Sequence, residues 1–128
     1  MALFARKSVP LRQEGEAPRE YFIGGRHKVY FNSHGLIPVV LQDARTGRVL
    51  RLGYMDRWAL EMSWEEKNIY LYRRSRGRLE KLGEEQQQEY PILSLYVDKS
   101  RRSLLVLTRE PDGQNSSYER KIFEREQD

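Results

Sequence analysis

The hydrophobic positions of the chain fall in short runs, and turn-forming residues separate these runs. Residues 35–41 form an apolar, β-branched run, and residues 48–54 resume with partial alternation after a short polar turn. Because two such runs joined by a turn pair as antiparallel strands, this pattern predicts a β-hairpin. Residues 91–97 and 103–108 flank another polar turn at residues 98–102, which predicts a second hairpin.

One helix is predicted between these hairpins. Asp56 carries a side chain that is favoured at a helix N-cap, and Met55, Ala59 and Met62 are spaced by four and then three residues. This spacing places apolar side chains on one helical face. The pattern therefore predicts an amphipathic helix of about three turns that ends near Asn68.

Shorter strands are predicted after the helix. Residues 69–72 form a short aromatic strand, and Tyr118, Ile122 and Phe123 predict an edge strand before a charged end. No repeat or low-complexity tract is present in the sequence.

The N-terminal residues have a different texture. Residues 1–20 carry two prolines and scattered charges without apolar periodicity. We therefore predict a flexible N-terminal arm at residues 1–20, ordered on contact with a partner, and a single domain at residues 21–128.

Composition removes several kinds of chemistry. The chain has no cysteine, which excludes disulfides, thiolate nucleophiles and cysteine-based metal sites. His27 and His34 are the only histidines and have no carboxylates at ligand spacing, so we predict no metal site from them. No apolar stretch approaches the roughly 20 residues of a membrane span, and the N-terminus lacks the apolar centre of a signal peptide. We therefore expect a cytoplasmic protein without membrane contact.

Positive charge points to an anionic partner. The chain has 23 Lys and Arg residues against 19 Asp and Glu residues, for a net charge of +4. The densest basic cluster starts at Arg73, and on a strand Arg74, Arg76 and Arg78 would share one face and bind phosphate oxygens, with Arg73 on the other face. Such a cluster is also typical of a solvated or partner-facing surface, so both interpretations stay open.

Three motifs, in this order, resemble phosphoribosyl-AMP cyclohydrolase, an enzyme family of histidine biosynthesis. They are Gly-Leu-Ile-Pro-Val-Val-Leu-Gln-Asp-Ala at residues 35–44, Gly-Tyr-Met-Asp-Arg-Trp-Ala-Leu at residues 53–60 and Arg-Ser-Arg-Gly-Arg-Leu at residues 74–79. The resemblance covers residues 31–123. It implies a small α+β fold, dominated by antiparallel sheet with one main helix, and an intertwined homodimer whose subunits share their active sites.

The chain departs from the family pattern where the resemblance implies a metal. Family members carry Asp-Cys-Asp-x-Asp at a hairpin turn, and this chain has Asp-Lys-Ser-Arg-Arg there, at residues 98–102. A later Cys-His pair and a further cysteine align with Asn115, Ser116 and Ile122. The family reaction adds water across the N1–C6 bond of an adenine ring, for which the resemblance implies a metal-activated hydroxide. We therefore predict that the chain holds no metal or other cofactor, has no catalytic residue and is a catalytically inactive homologue.

A second departure lies beside the basic cluster. The family segment Trp-x-Lys-Gly-x-Thr-Ser-Gly is replaced at residues 80–87 by Glu-Lys-Leu-Gly-Glu-Glu-Gln-Gln. Longer and partly anionic side chains therefore stand where the family has small and hydroxyl-bearing ones.

Binding is the function that this interpretation leaves. We predict that a homodimer binds a nucleotide or other phosphorylated small molecule through residues of the retained motif. These candidate residues are Arg74, Ser75, Arg76, Arg78, Gly83 and Glu84. One alternative is a non-enzymatic module that docks nucleic acid or an acidic protein. Another is a divergent cyclohydrolase with rearranged metal ligands.

Overall fold

The computed structural model describes residues 19–111 and 116–126, without the side chain of Arg19. The elements in chain order are β1 (Arg19–Ile23), β2 (His27–Phe31), β3 (Ile37–Asp43), β4 (Val49–Met55), α1 (Arg57–Glu66), β5 (Tyr70–Arg73), β6 (Arg78–Lys81), β7 (Ile92–Val97) and β8 (Leu104–Thr108). The strands form one four-stranded sheet in the order β4-β3-β8-β7 and two hairpin sheets, β1-β2 and β5-β6. Over these residues the fold is α+β with mainly antiparallel strands and one helix, which confirms the predicted fold class.

Strand β3 lies at the centre of the largest sheet. It pairs antiparallel with β4 and parallel with β8, so the two predicted hairpins, β3-β4 and β7-β8, are joined through β3 and β8. Its residues alternate between buried and half-buried, and Ile37, Val39 and Leu41 belong to the hydrophobic core. The sequence predicted this strand from its continuous apolar run, and the two-residue period of burial arises because successive side chains of a strand point to opposite faces of the sheet.

Helix α1 packs against the strands on either side of it in the chain. The side chain of Asp56 accepts a hydrogen bond from the backbone N–H of Ala59 at 2.8 Å, which confirms the predicted N-cap. Ala59, Leu60 and Met62 are buried, as the apolar spacing predicts. The helix ends where Lys67 adopts a left-handed conformation, with φ of 59°. With ten residues, this helix of the described chain is not long and apolar enough to cross a membrane.

The N-terminal hairpin β1-β2 was not predicted. Strand β1 includes Arg19 and Glu20, the last two residues of the predicted arm, and the rest of that arm lies outside the described residues. Tyr21 pairs with Val29 across a turn at Gly24 and Gly25, both of which have positive φ. The signal was present in the sequence, since aromatic and β-branched residues lie on both sides of a double glycine, at residues 21–23 and 29–31.

The predicted C-terminal edge strand is wrong. Residues 116–126 contain no strand in this structure. Only their start is attached to the sheet, because the Ser116 hydroxyl donates to the Val49 carbonyl at 2.7 Å and Ser117 N–H donates to the Leu50 carbonyl at 2.7 Å. Further on, the side chains of Ile122 and Phe123 are 95% and 80% exposed. Apolar residues without a neighbouring strand to pair with do not form an edge strand, whatever their spacing.

Candidate functional site

The basic cluster lies on the hairpin formed by β5 and β6. Arg73 ends β5 and pairs with Arg78, which begins β6, while residues 74–77 form the turn between them. The turn closes through a hydrogen bond of 2.8 Å from the Gly77 N–H to the Arg73 carbonyl, and Gly77 has a φ of 63°. The predicted continuous strand through Arg74, Arg76 and Arg78 is therefore wrong, because the chain reverses direction within it.

The reversal brings three arginines to one carboxylate. Arg76 Nη1 donates to Glu80 Oε2 at 2.8 Å, and Arg78 Nη2 and Nε donate to the same oxygen at 3.2 and 3.3 Å. Arg73 Nε lies 3.6 Å from Glu80 Oε1. Arg73 is therefore on the same side as Arg76 and Arg78, and not on the opposite face as a strand would have placed it.

A cavity of about 360 Å³ lies beside this cluster. Its floor is apolar, since Tyr70, Leu71 and Leu79 are buried core residues. Its polar lining combines five cationic side chains with three carboxylates. These are Arg51, Arg73, Arg76, Arg78 and Lys81, with Glu80, Glu84 and Glu85. Eight charged side chains above a base of buried core residues suit a small, charged ligand that can accept hydrogen bonds from guanidinium groups.

The arginines also control the ionisation of Glu80. Burial alone would raise the pKa of the Glu80 carboxyl, but the hydrogen bonds from Arg76 and Arg78 outweigh burial and lower this pKa. The same hydrogen bond to Glu80 raises the pKa of Arg76. At the floor of the cavity, burial and a hydrogen bond of 2.7 Å to Glu66 raise the pKa of Tyr70. The cavity therefore contains charged arginines, an ionised Glu80 and a neutral tyrosine at pH 7.

Four of the six candidate binding residues line this cavity. They are Arg76, Arg78, Gly83 and Glu84. Arg74 does not line this cavity, and its guanidinium lies 4.9 Å from the ring centre of Tyr54. It lines an adjoining cavity of about 180 Å³, to which Arg51 and Arg73 also contribute. Ser75 is exposed in the turn.

Gly83 has a structural requirement of its own. Its φ is +82°, and a Cβ atom there would lie 2.7 Å from the Gln88 carbonyl oxygen and 2.7 Å from the Tyr90 ring. The turn of residues 82–87 that carries Glu84 and Glu85 to the cavity therefore depends on a glycine at this position.

Sequence reasoning missed five of the charged side chains that line the cavity, namely Arg51, Arg73, Glu80, Lys81 and Glu85. Arg51 was detectable as a charge inside an otherwise apolar strand, and Gly77 marked the turn that brings Arg73 and Glu80 together.

The turn of residues 98–102 does not fit the metal that the family resemblance implies. The carboxylate of Asp98 accepts hydrogen bonds from the Ser100 hydroxyl at 2.6 Å and the Ser100 N–H at 2.9 Å, and the hydroxyl bond lowers the pKa of Asp98. Arg101 donates to the Lys28 carbonyl at 3.0 Å, and Arg102 stacks over Tyr30. Within residues 19–111 and 116–126, no group of three or more His, Cys, Asp or Glu residues could hold a metal ion. We therefore assign no reaction step to a metal at this turn.

The resemblance also implies metal ligands nearer the C-terminus, at residues 115, 116 and 122, and the described residues there carry no metal-binding side chain. Asn115 lies outside the described residues, Ser116 is buried against the Val49 carbonyl, and Ile122 is exposed. Neither described side chain is a thiolate, imidazole or carboxylate.

Sequence comparison relates the chain to named enzymes, although no protein-family model matches it. Phosphoribosyl-AMP cyclohydrolase of Nitrosococcus oceani is 35% identical over 91 residues, which cover 71% of this chain and 69% of that protein. Phosphoribosyl-AMP cyclohydrolase of Pseudomonas syringae pv. tomato is 33% identical over 86 residues, which cover 67% of this chain and 66% of that protein. The histidine biosynthesis bifunctional protein HisIE of Aquifex aeolicus is 35% identical over 100 residues, which cover 77% of this chain and 49% of that protein.

The prediction that this protein is catalytically inactive is wrong. The similar proteins are named as cyclohydrolase enzymes, and no positive feature of this chain shows a loss of activity. The prediction relied on the absence of metal-ligand residue types from a few positions. Their absence excludes one arrangement of metal ligands, but it does not show that the chain is inactive. The identity and its extent show that the chain belongs to the phosphoribosyl-AMP cyclohydrolase family.

Proposed function

We propose that this protein binds and acts on phosphoribosyl-AMP, the nucleotide in the name of its relatives, and that the arginine cavity holds one phosphoribosyl group of that nucleotide. The observation that carries the proposal is the convergence of Arg73, Arg76 and Arg78 on one cavity. These residues lie in and beside the motif at residues 74–79 that resembles the family.

The chemistry of the cavity supports a phosphate ligand. A guanidinium presents five N–H donors in a planar fork, and it binds phosphate oxygens through paired, charge-assisted hydrogen bonds. The bonds to Glu80 engage Nη1 of Arg76 and two nitrogens of Arg78, so donors of both guanidinium groups remain for a ligand. In this proposal the arginines bind and orient the nucleotide and balance the phosphate charge.

The size of the cavity supports a small ligand. A volume of about 360 Å³ is at the lower end of the range for ligand sites. It suits one phosphoribosyl group better than the whole phosphoribosyl-AMP molecule. The remainder of the nucleotide would extend beyond this cavity. The adjoining cavity at Arg74 and Tyr54 offers a cation and an aromatic ring for that remainder.

The charge distribution argues against a nucleic-acid polymer. Polymer-binding surfaces present a stripe of positive charge that follows the phosphate backbone. Here the cationic side chains of the cavity are interrupted by Glu80, Glu84 and Glu85. This mixture suits one phosphate group and not a row of them.

The test measures binding and turnover of phosphoribosyl-AMP with the purified full-length chain. We expect saturable binding by titration calorimetry, a shallow loss of affinity with increasing salt, and a ring-opened product detected by chromatography. A steep salt dependence together with tighter binding of an RNA or DNA oligonucleotide would instead support polymer binding. Absence of binding would overturn the proposal, and binding without turnover would overturn its catalytic part.

We also propose that the protein is a homodimer. Ile122 and Phe123 are adjacent, almost fully exposed and unpaired with any strand of the described chain. Leu93 and Tyr96, on the edge strand β7, are exposed as well. Adjacent exposed apolar side chains are typical of an interface, and a second copy of the chain is the partner that the family resemblance implies.

A further inference from the structure

Glu80 lies where an anionic ligand group would have to bind. Its Oε2 accepts from Arg76 at 2.8 Å and from Arg78 at 3.2 Å, and its Oε1 lies 3.6 Å from Arg73. The Glu80 side chain is 21% exposed and lines the same cavity as these arginines. A carboxylate and a phosphate group accept the same kind of charge-assisted hydrogen bond from a guanidinium. A ligand phosphate therefore has to share or displace the contacts that Glu80 already makes.

We propose that Glu80 sets the affinity and anion selectivity of the cavity by competing with the ligand phosphate for Arg73, Arg76 and Arg78. This inference rests on the proposed binding of a phosphate group in the cavity. It assigns Glu80 a role as an internal counter-ion and not as a catalytic residue.

The charge of the cavity supports this role. Five cationic and three acidic side chains line it, which leaves a net charge of +2. A phosphate monoester carries a charge of about −1.5 to −2 at pH 7, so it balances the cavity with Glu80 ionised. Glu80 remains ionised at neutral pH, because Arg76 and Arg78 lower its pKa. A singly charged anion would gain less from the arginines than a phosphate dianion does, while it meets the same competition from Glu80.

The position of Glu80 is set by the strand that carries it. Strand β6 holds Glu80 opposite Leu71, while Leu79 on the neighbouring position is buried in the core. The strand therefore fixes the carboxylate at the cavity, where it remains close to the arginines in the absence of ligand.

The test uses ribose 5-phosphate as the probe, because it carries a single phosphate and no base. Binding is measured by titration calorimetry for the wild-type protein and for Glu80→Gln, which keeps the shape of the side chain and removes its charge. We expect Glu80→Gln to bind ribose 5-phosphate about threefold to tenfold more tightly, the range for one partly exposed charge interaction. Adenosine, which has no phosphate, should show no such gain.

Glu89→Gln is the matched control. It makes the same change of charge, and Glu89 pairs with Lys81 at 3.3 Å without lining the cavity itself. We expect its affinity for ribose 5-phosphate to change by less than about twofold. An equal gain in both variants would show a general increase in positive potential, and it would overturn the specific role of Glu80.

A stability measurement separates competition from simple damage to the fold. Removing the counter-ion leaves three arginines close together, which lowers the unfolding temperature of Glu80→Gln without ligand. Each protein is compared with itself, with and without ribose 5-phosphate. The ligand should raise the unfolding temperature more for Glu80→Gln than for the wild type, because a ligand that binds more tightly stabilises the folded state more.

If the folded variant binds no more tightly than the wild type, Glu80 is part of an ordinary structural ion pair and this inference is wrong, while the proposed function stands. If neither protein binds ribose 5-phosphate or phosphoribosyl-AMP, the proposed function fails as well.

Discussion

The carboxylate of Asp43 accepts a hydrogen bond from the backbone N–H of Glu110, with 3.1 Å between Oδ1 and N. Asp43 is the last residue of β3, and Glu110 follows the end of β8, so this bond joins the ends of the two parallel strands. The other oxygen of Asp43 accepts from the Thr46 hydroxyl at 2.8 Å and from the Thr46 N–H at 2.9 Å. One buried carboxylate therefore accepts hydrogen bonds both from the turn between β3 and β4 and from the backbone that follows β8.

We predict that Asp43 makes the stability of the protein depend on acidic pH. The hydrogen bonds from Thr46 and from the Glu110 N–H lower the pKa of Asp43. Because the folded-state pKa lies below the unfolded value, its contribution is present above the unfolded pKa of about 3.9 and is lost as the pH falls through the folded-state pKa. Asp43→Asn should lower the free energy of unfolding at pH 7 and flatten its decline below about pH 5. Urea denaturation between neutral and acidic pH measures both effects.

Glu119→Gln is the control for this prediction, because Glu119 is an exposed carboxylate in the C-terminal segment. Its pH dependence should follow that of the wild type. Parallel curves for Asp43→Asn and the wild type would show that Asp43 does not cause the acid sensitivity.

Arg76→Ala should weaken the binding of phosphoribosyl-AMP by roughly tenfold or more, since it removes a charge-assisted donor from the cavity. Arg102→Ala removes the same charge from a different surface, where Arg102 stacks over the ring of Tyr30 at 5.3 Å, and should change affinity less than about twofold. Titration calorimetry of the two variants decides between an oriented site and a diffuse basic surface. Equal losses would favour the surface.

Gly24 and Gly25 allow a paired test of the N-terminal hairpin. Both have positive φ, but a Cβ at Gly24 would lie 2.7 Å from the Trp64 ring on helix α1, whereas a Cβ at Gly25 would meet no atom within 4 Å. Gly24→Ala should therefore cost about 2–5 kcal/mol, from backbone strain and ring displacement, and Gly25→Ala about 1–2 kcal/mol from strain alone. Chemical denaturation gives both values. Similar costs would mean that the hairpin does not pack on α1 as described.

Metal analysis tests the turn of residues 98–102. Elemental analysis of the purified protein should find far less than one zinc ion per chain, because Asp98 is hydrogen bonded within its own turn and its neighbours are cationic. About one tightly bound zinc ion per chain, lost together with activity on chelation, would contradict this expectation.

Replacement of two C-terminal residues tests the proposed homodimer. Light scattering of the wild type at micromolar concentration should give twice the mass of one chain. The double variant Ile122→Asp, Phe123→Asp should shift the equilibrium towards the monomer, because charged side chains cannot be buried there without a partner. The double variant Glu119→Ala, Arg120→Ala alters the same segment without removing apolar side chains and should remain dimeric. A wild-type monomer at all concentrations would refute the dimer.

The sequence by itself determined the elements whose signals are local. Asp56 and the spacing of Met55, Ala59 and Met62 specify helix α1, because an N-cap hydrogen bond and a helical face both form within a few residues. Apolar, β-branched runs on both sides of polar turns specify the hairpins β3-β4 and β7-β8. The family motifs also lie within short segments, which is why the family was identified from the sequence and confirmed by comparison.

Only the tertiary structure decided how the charged side chains of the site are arranged. Gly77 reverses the chain inside the basic cluster, so Arg73 faces Arg78, and Glu80 falls between them. Arg51 reaches the same cavity from β4, a strand distant in sequence. The parallel pairing of β3 with β8 is also absent from any local pattern. These relations depend on which strands lie side by side, and strand pairing is set by burial of the common core and by backbone hydrogen bonds between segments far apart in the chain.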